Sequence, residues 1–182
     1  MTFEHRTERL LMRSWRDGDI DEWERCLNVP AVARTVGGLQ AREEIAAGLE
    51  RIRRCEAENG FCFWALERSD TGAFLGFCGL KRLNAAGAPV VIQGQPEIGW
   101  RLRKDSWGRG FAREAALAAL ELAFGRFELD QVYAITLDYN ERSFGLMRRL
   151  GMTARPDLDF DMPVHGRHVT YRIGSDEWTT SA

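Results

Sequence analysis

The chain has 182 residues, 45% of them apolar and 29% charged, a balance that suits one folded domain over residues 1–182 and excludes collagen-like, mucin-like, coiled-coil and disordered chains. Its 25 basic and 27 acidic residues leave a net charge of −2, so it lacks a basic footprint and nucleic acid is not an expected partner. The longest apolar run, Ala115 to Gly125, is interrupted by Glu121 and falls well short of the roughly 20 residues a membrane span needs. The opening residues, Met1 to Arg6, hold no apolar segment of the secretory kind, which makes the cytoplasm the expected location, with no membrane partner. Cys26, Cys55, Cys62 and Cys78 show neither C-x-x-C nor metal-type spacing, so they are expected to be reduced structural thiols, with no metal.

Residues 9 to 15 read as a first strand, after which Asp17 or Asp19 caps a helix striped by Ile20, Trp23 and Leu27. A second helix runs from about Ala41 to Glu58 on Ile45, Leu49, Ile52 and Cys55, and Asn59-Gly60 stops it. The period then changes to two. Phe61 to Glu67 and Ala73 to Arg82 form a hairpin about Ser-Asp-Thr-Gly. A Gly- and Pro-containing loop over 83–96 leads to a strand from Glu97 to Arg103. The next helix opens after Gly110 and carries Leu117, Leu120, Phe124 and Phe127 among alanines that let it lie close on a sheet. Gln131 to Asp138 is a strand, and Asn140 caps a short helix ending at Leu150-Gly151. The tail supplies two more strands, the clearer being His168 to Ile173. This order, with hairpins around one strand-helix-strand unit, is α+β and not doubly wound.

Between strand and helix lies Arg103-Lys104-Asp105-Ser106-Trp107-Gly108-Arg109-Gly110-Phe111-Ala112-Arg113-Glu114. Two glycines allow a tight turn that aims backbone N–H groups at one spot, and the helix adds its unpaired N–H groups and dipole, a setting suited to a pyrophosphate. Arg103, Lys104 and Arg109 add positive charge. The same residues also fit a solvated connection. No Lys-Ser or Lys-Thr follows the glycines, against a nucleoside-triphosphate loop. Arg113 stands where a dinucleotide motif has its third glycine, which leaves a dinucleotide-binding oxidoreductase as a lesser alternative. One strand later, Asn140 and Ser143 share the mouth of a helix, either as caps or as polar groups facing a ligand.

Together, Thr7-Glu8-Arg9-Leu10, Arg13-Ser14-Trp15, Pro96-Glu97-Ile98-Gly99-Trp100, Trp107-Gly108-Arg109-Gly110-Phe111-Ala112 with Glu114-Ala115, and Asn140 to Met152 resemble the GNAT superfamily of N-acetyltransferases, in the branch that includes the ribosomal-protein N-terminal (alanine and serine) acetyltransferases. The resemblance implies a GNAT-like domain with a mixed, mostly antiparallel sheet of about seven strands and about four helices. It implies acetyl-CoA as co-substrate and a primary amine as acceptor, whether a protein N-terminus or a small molecule; a homodimer is the expected assembly on the general prevalence of symmetric dimers. A noncatalytic acyl-CoA-binding or regulatory domain is the alternative on the same fold.

On the family pattern the strand before the loop and the next strand splay apart around pantetheine. Its loop consensus [QR]-x-x-G-x-[GA] falls on Trp107, Gly110 and Ala112, with Trp107 departing from Gln or Arg in the manner of this branch. The implied cofactor-binding residues are Ile98, Trp100, Leu102, Arg103, Trp107, Gly108, Arg109, Gly110, Phe111, Ala112, Asn140, Ser143 and Met147. The reaction is direct attack of a neutral amine on the thioester, with backbone N–H groups stabilising the oxyanion. At pH 7 neutralising the amine costs roughly 4.6 kcal/mol for lysine and roughly 1.1 kcal/mol for an α-amino group, which favours the latter. Glu97 is the candidate base, through a water, or else the ion-pair partner of Arg101 on the same strand face. Many relatives place a tyrosine acid seven residues after the asparagine. Here that position is Met147, which leaves Ser143 as the candidate donor to sulfur, with Tyr133 and Tyr139 as alternatives. Asp161, His165 and His168 fall in the loop before the last strand, where relatives place substrate-facing residues, and otherwise are plain surface.

Overall fold

Alternation of side chains across the central strands sets the architecture, because each residue of one strand meets its register partner on the same face of the sheet. The computed structural model describes residues 2–179. Its strands are β1 (Glu4–Arg6), β2 (Leu10–Arg13), β3 (Phe63–Arg68), β4 (Phe74–Arg82), β5 (Pro96–Leu102), β6 (Gln131–Leu137), β7 (Thr153–Ala154), β8 (Phe160–Met162) and β9 (Gly166–Gly174). They form one sheet in the order β1-β2-β3-β4-β5-β6-β9-β7, with β8 also paired to β9. Every pairing is antiparallel except that of β5 with β6.

Five α-helices accompany it: α1 (Asp19–Cys26), α2 (Pro30–Ala33), α3 (Arg42–Asn59), α4 (Phe111–Glu121) and α5 (Glu141–Arg149). Phe77 and Trp64 face opposite sides of the sheet. Trp23 of α1 stacks on Phe77 at 5.1 Å between ring centroids, while Phe127, just beyond α4, stacks on Trp64 at 6.3 Å. The helices therefore divide between the two faces, and α4 lies along β4 and β5. Ala115, Ala116, Ala118 and Ala119 are buried, as a helix seated close on a sheet requires. A π-helical turn over Leu122–Arg126 continues α4 and brings Phe127 onto Trp64.

The α+β class and the mixed, mostly antiparallel sheet agree with the sequence, and among the described residues the expected numbers of about seven strands and about four helices become nine and five. The additional elements are short. β1 pairs with β2 over three residues, and α2 is a four-residue turn begun by Pro30. Asp19 does not cap α1, whose N-cap is Gly18. It is buried, accepting from both terminal nitrogens of Arg13 at 2.7 and 2.8 Å and from the Arg16 N–H at 2.7 Å. Arg13 also donates to Glu67 at 2.6 Å, so two carboxylates neutralise this buried guanidinium. Gly60, at φ +76°, ends α3 in the left-handed region as Asn59-Gly60 predicts. Cys26, Cys62 and Cys78 are buried free thiols, and Cys55 is a partly buried one.

Candidate active site

The two long edges of β5 differ. β4 and β5 stay in register from Gly76↔Leu102 to Arg82↔Pro96, whereas β5 and β6 share one register pair, Glu97↔Tyr133. Gln131 also donates to Gln95 at 3.3 Å, so the strands meet at their starts and part beyond Glu97. The β6-facing main-chain groups from Ile98 to Leu102 then have no strand to pair with, and buried backbone polar groups require a partner. A slot that opens between parallel strands offers an extended ligand the hydrogen bonds of a missing strand.

At the C-terminal end of β5 stands the glycine loop. Gly108 and Gly110 take φ of +72° and +84°, and Gly110 is the N-cap of α4, whose first N–H groups point into the loop. A Cβ at Gly108 would meet no atom within 4 Å, so space is left beside the turn. Trp107 Nε1 donates to the Leu102 carbonyl at 2.8 Å and fixes the loop to β5. Glu114, in the first turn of α4, accepts from Thr7 Oγ1 (2.5 Å), the Arg9 N–H (2.8 Å) and Arg9 Nε (2.7 Å), which ties the loop to the start of β2. Burial acts to raise the Glu114 pKa, but these hydrogen bonds outweigh it and hold the carboxyl below its ordinary range.

The loop's charges separate into two kinds. Arg103 is held by Asp105 at 2.6 and 2.7 Å and donates to the Phe74 carbonyl, so its charge is already matched. Lys104 and Arg109 form no ion pair among the described residues. The guanidiniums of Arg9, Arg68 and Arg109 surround the Phe111 ring at 4.8, 5.9 and 5.4 Å and line a cleft of about 260 Å³ beside the loop. The residues present thus fit a pyrophosphate-bearing ligand: an anion cradle with unmatched positive charge, at the mouth of a slot where β5 has no register pair with β6 beyond Glu97.

Across the slot, α5 begins at Asn140. The Asn140 side chain makes no cap bond; its Nδ2 donates to Thr136 Oγ1 at 2.9 Å and to Ser143 Oγ at 3.1 Å. Asn140 and Ser143 are partly exposed together there. Met147 departs from them: it is 2% exposed and packs in the hydrophobic core with Leu146 and Leu150. Arg142, not foreseen from the sequence, places its guanidinium 4.5 Å from the Trp107 ring and bridges α5 to the glycine loop. Its only signal was its place two residues after Asn140.

Glu97 stands at the closed end of the slot, on the opposite face from Ile98, Trp100 and Leu102. It does not pair with Arg101, as the shared face suggested. Lys81 Nζ, across the β4–β5 register, lies 3.0 Å from Glu97 Oε2, off the direction of a hydrogen bond. Burial pushes the Glu97 carboxyl up despite the opposing pull of Lys81. Tyr133 is buried in the sheet with its hydroxyl toward Gln131, and Tyr139 donates to the Arg34 carbonyl at 3.3 Å.

The C-terminal trio does not share one loop. Asp161 is exposed on β8 with Arg167 at 3.5 Å, His165 sits in the β8–β9 turn, and His168 is in β9, buried against Phe160 with Nδ1 2.9 Å from the Gly166 carbonyl oxygen. His168 is thereby a packed side chain and not a loop residue. His165 packs over Gly37, where an added Cβ would lie 2.8 Å from its ring, so this turn meets the segment between α2 and α3.

Among the described residues no group of three or more His, Cys, Asp or Glu is arranged to hold a metal, and no helix is long and apolar enough to cross a membrane. Residues 9–153 match the family described as the acetyltransferase (GNAT) domain. YkkB of Bacillus subtilis, an uncharacterized protein, is 29% identical over 149 residues, 80% of this chain and 83% of that one. A solved acetyltransferase from Agrobacterium tumefaciens aligns with TM-score 0.81 at 23% identity, covering 94% of each chain. The ribosomal-protein-S5-alanine acetyltransferase from Vibrio fischeri aligns with TM-score 0.74 at 16% identity, over 97% of this chain and 99% of that one. At these identities the two structures speak for the fold.

Proposed function

The chain belongs to the GNAT acetyltransferase family and is an acyltransferase, and from that premise we propose that it transfers the acetyl group of acetyl-CoA to a primary amine by direct attack in a ternary complex. The observation that carries this reading is the slot: one register pair joins β5 to β6, with the Gly108 and Gly110 turn at its mouth. The main chain of Ile98 to Leu102 binds the pantetheine arm. The loop from Trp107 to Ala112 and the first N–H groups of α4 take the pyrophosphate. Asn140 and Ser143 line the sulfur side.

Acetyl-CoA supplies an activated thioester, and this chain's groups orient the amine and manage charge and proton. Main-chain N–H groups of β5 stabilise the negative charge that develops on the thioester oxygen. As the N–C bond forms and the C–S bond breaks, Glu97 accepts the amine proton through a water. Its raised pKa brings it nearer to neutrality, where a base works best. Ser143 Oγ, itself accepting from Asn140, is free to turn its proton toward the departing sulfur.

The test is thermal unfolding with acetyl-CoA, with NADH as the control. A ligand at a hundred times its Kd stabilises by about 2.7 kcal/mol, roughly 5 to 11 °C for a chain of this size. The expected result is a shift with acetyl-CoA alone, lost in Gly110→Glu. A shift with NADH and none with acetyl-CoA would overturn the reading.

A further inference from the structure

Two arginines lie against the same face of the sheet, and only one has a counter-charge. Arg13 is matched by Asp19 and Glu67 at 2.7 and 2.6 Å. Arg101, opposite Phe77 in the β4–β5 register, sits 5.4 Å from both the Trp23 and Phe77 rings, and its Nε is sealed from solvent with no hydrogen-bond partner. No carboxylate among the described residues pairs with it. Glu97, the acid on its own strand face, is taken by Lys81, and Glu67 by Arg13 and Arg16. Burial alone pulls the Arg101 pKa down, to about 10, which still leaves it charged at neutral pH. Buried charges are ordinarily paired, and the aromatic rings offset only part of the cost of an unpaired one.

The position matters as much as the charge. α4 covers the other face of β4 and β5 and presents its N-terminus to the glycine loop, so an acceptor amine reaches the slot from the face that carries Glu97, Gly99 and Arg101. Gly99, between them, lies against the Phe63 ring, where an added Cβ would fall 2.8 Å from it. Arg101 is two residues, about 6.6 Å along the strand, from Gly99, and it is partly exposed. Lys81 and Glu97 cancel, which leaves one positive charge beside the point of attack.

We propose that the acceptor of this enzyme is a small primary amine that carries a carboxylate, and that Arg101 binds that carboxylate while the amine is presented at Gly99 toward Glu97. A planar guanidinium matches a carboxylate by paired hydrogen bonds, which a lysine ammonium cannot reproduce. A protein N-terminus has its α-carboxyl consumed in the peptide bond and does not supply this group at that distance.

The inference rests on the acetyltransferase reading, and the experiment separates the two. Acetyl-CoA-dependent thiol release is measured for the standard α-amino acids, each as the free acid and as its α-carboxamide, with wild type, Arg101→Gln and Arg101→Lys. The amide's amine is the less basic, so reactivity alone favours the amide. The expected result is at least one acid preferred over its amide by about tenfold or more in kcat/KM, expressed mainly in KM. Arg101→Gln should bring the ratio close to one, and Arg101→Lys should restore part of it. Should Arg101→Gln fail to fold, the wild-type ratio decides alone. Thermal stabilisation by acetyl-CoA without any acid preferred over its amide, including no turnover of either, would overturn the proposal and leave the acetyltransferase reading standing. Absence of that stabilisation would overturn the reading and the proposal together.

Discussion

The two edges of β5 divide the molecule into a half that is closed and a half that is built to open. Toward β4 the ladder is continuous, and Gly76 of β4 allows close approach, since a Cβ there would fall 2.1 Å from the Arg101 carbonyl oxygen of β5. Toward β6 the pairing stops at Glu97↔Tyr133. Identical chemical groups thus do opposite work on one strand. On the closed side they are spent on each other, and on the open side they are left for a ligand.

Changes on the closed side should alter stability, and changes along the slot should alter binding and rate. Arg13→Ala removes the partner of the buried Asp19 and one partner of the half-buried Glu67, and should cost about 3–5 kcal/mol, read from the urea midpoint. Glu97→Gln should lower kcat by about 100-fold, equivalent to about 2.7 kcal/mol in the barrier. Because burial raises the Glu97 pKa, wild-type kcat/KM should decline as pH falls through that raised value, and the variant should lose this limb of the profile. The raised pKa means that folding favours the protonated carboxyl, so the neutral variant should be no less stable above neutrality. Unchanged kcat in Glu97→Gln would remove it from catalysis.

Glu114→Gln, at the hinge between the loop and β2, should cost about 1–2 kcal/mol at pH 7. The folded-state pKa of Glu114 is depressed, so its contribution is complete above the unfolded value and disappears as pH falls through the folded one. Denaturation curves of wild type and Glu114→Gln should therefore converge in acid. The smallest effect is expected for Ser143→Ala, a loss of about threefold in kcat with stability nearly unchanged, because a thiolate of pKa about 8.5 leaves readily without a donor. A stability loss from Ser143→Ala as large as that from Arg13→Ala would erase the distinction between the halves.

Local pattern was legible where period and punctuation coincide. The stripe of α3 and the φ +76° stop at Gly60, the β3–β4 hairpin, and the glycine turn between β5 and α4 could each be read from a short window of sequence. β1 and β8 were missed because three residues are too few to show a period. His168 stood at the expected boundary between the loop and the last strand, because the alternation of Val169, Tyr171 and Ile173 begins after it, whereas β9 starts at Gly166 and takes His168 inside the strand. The partners of the charged residues were the least legible. Lys81 with Glu97, Arg13 with Glu67 and Arg142 over Trp107 depend on register between distant segments, which no local spacing records. The isolation of Arg101 follows from the same registers.

Hydrogen exchange of the backbone amides with and without acetyl-CoA tests the open edge most directly. The account predicts slowed exchange across Ile98 to Leu102 and Gly108 to Ala112, with β3 and the β4–β5 ladder at their unliganded rates. Protection confined to other segments, such as the outer cleft around Arg9 and Arg68, or unchanged exchange along β5 in the saturated protein, would contradict the assignment of this slot as the acetyl-CoA site.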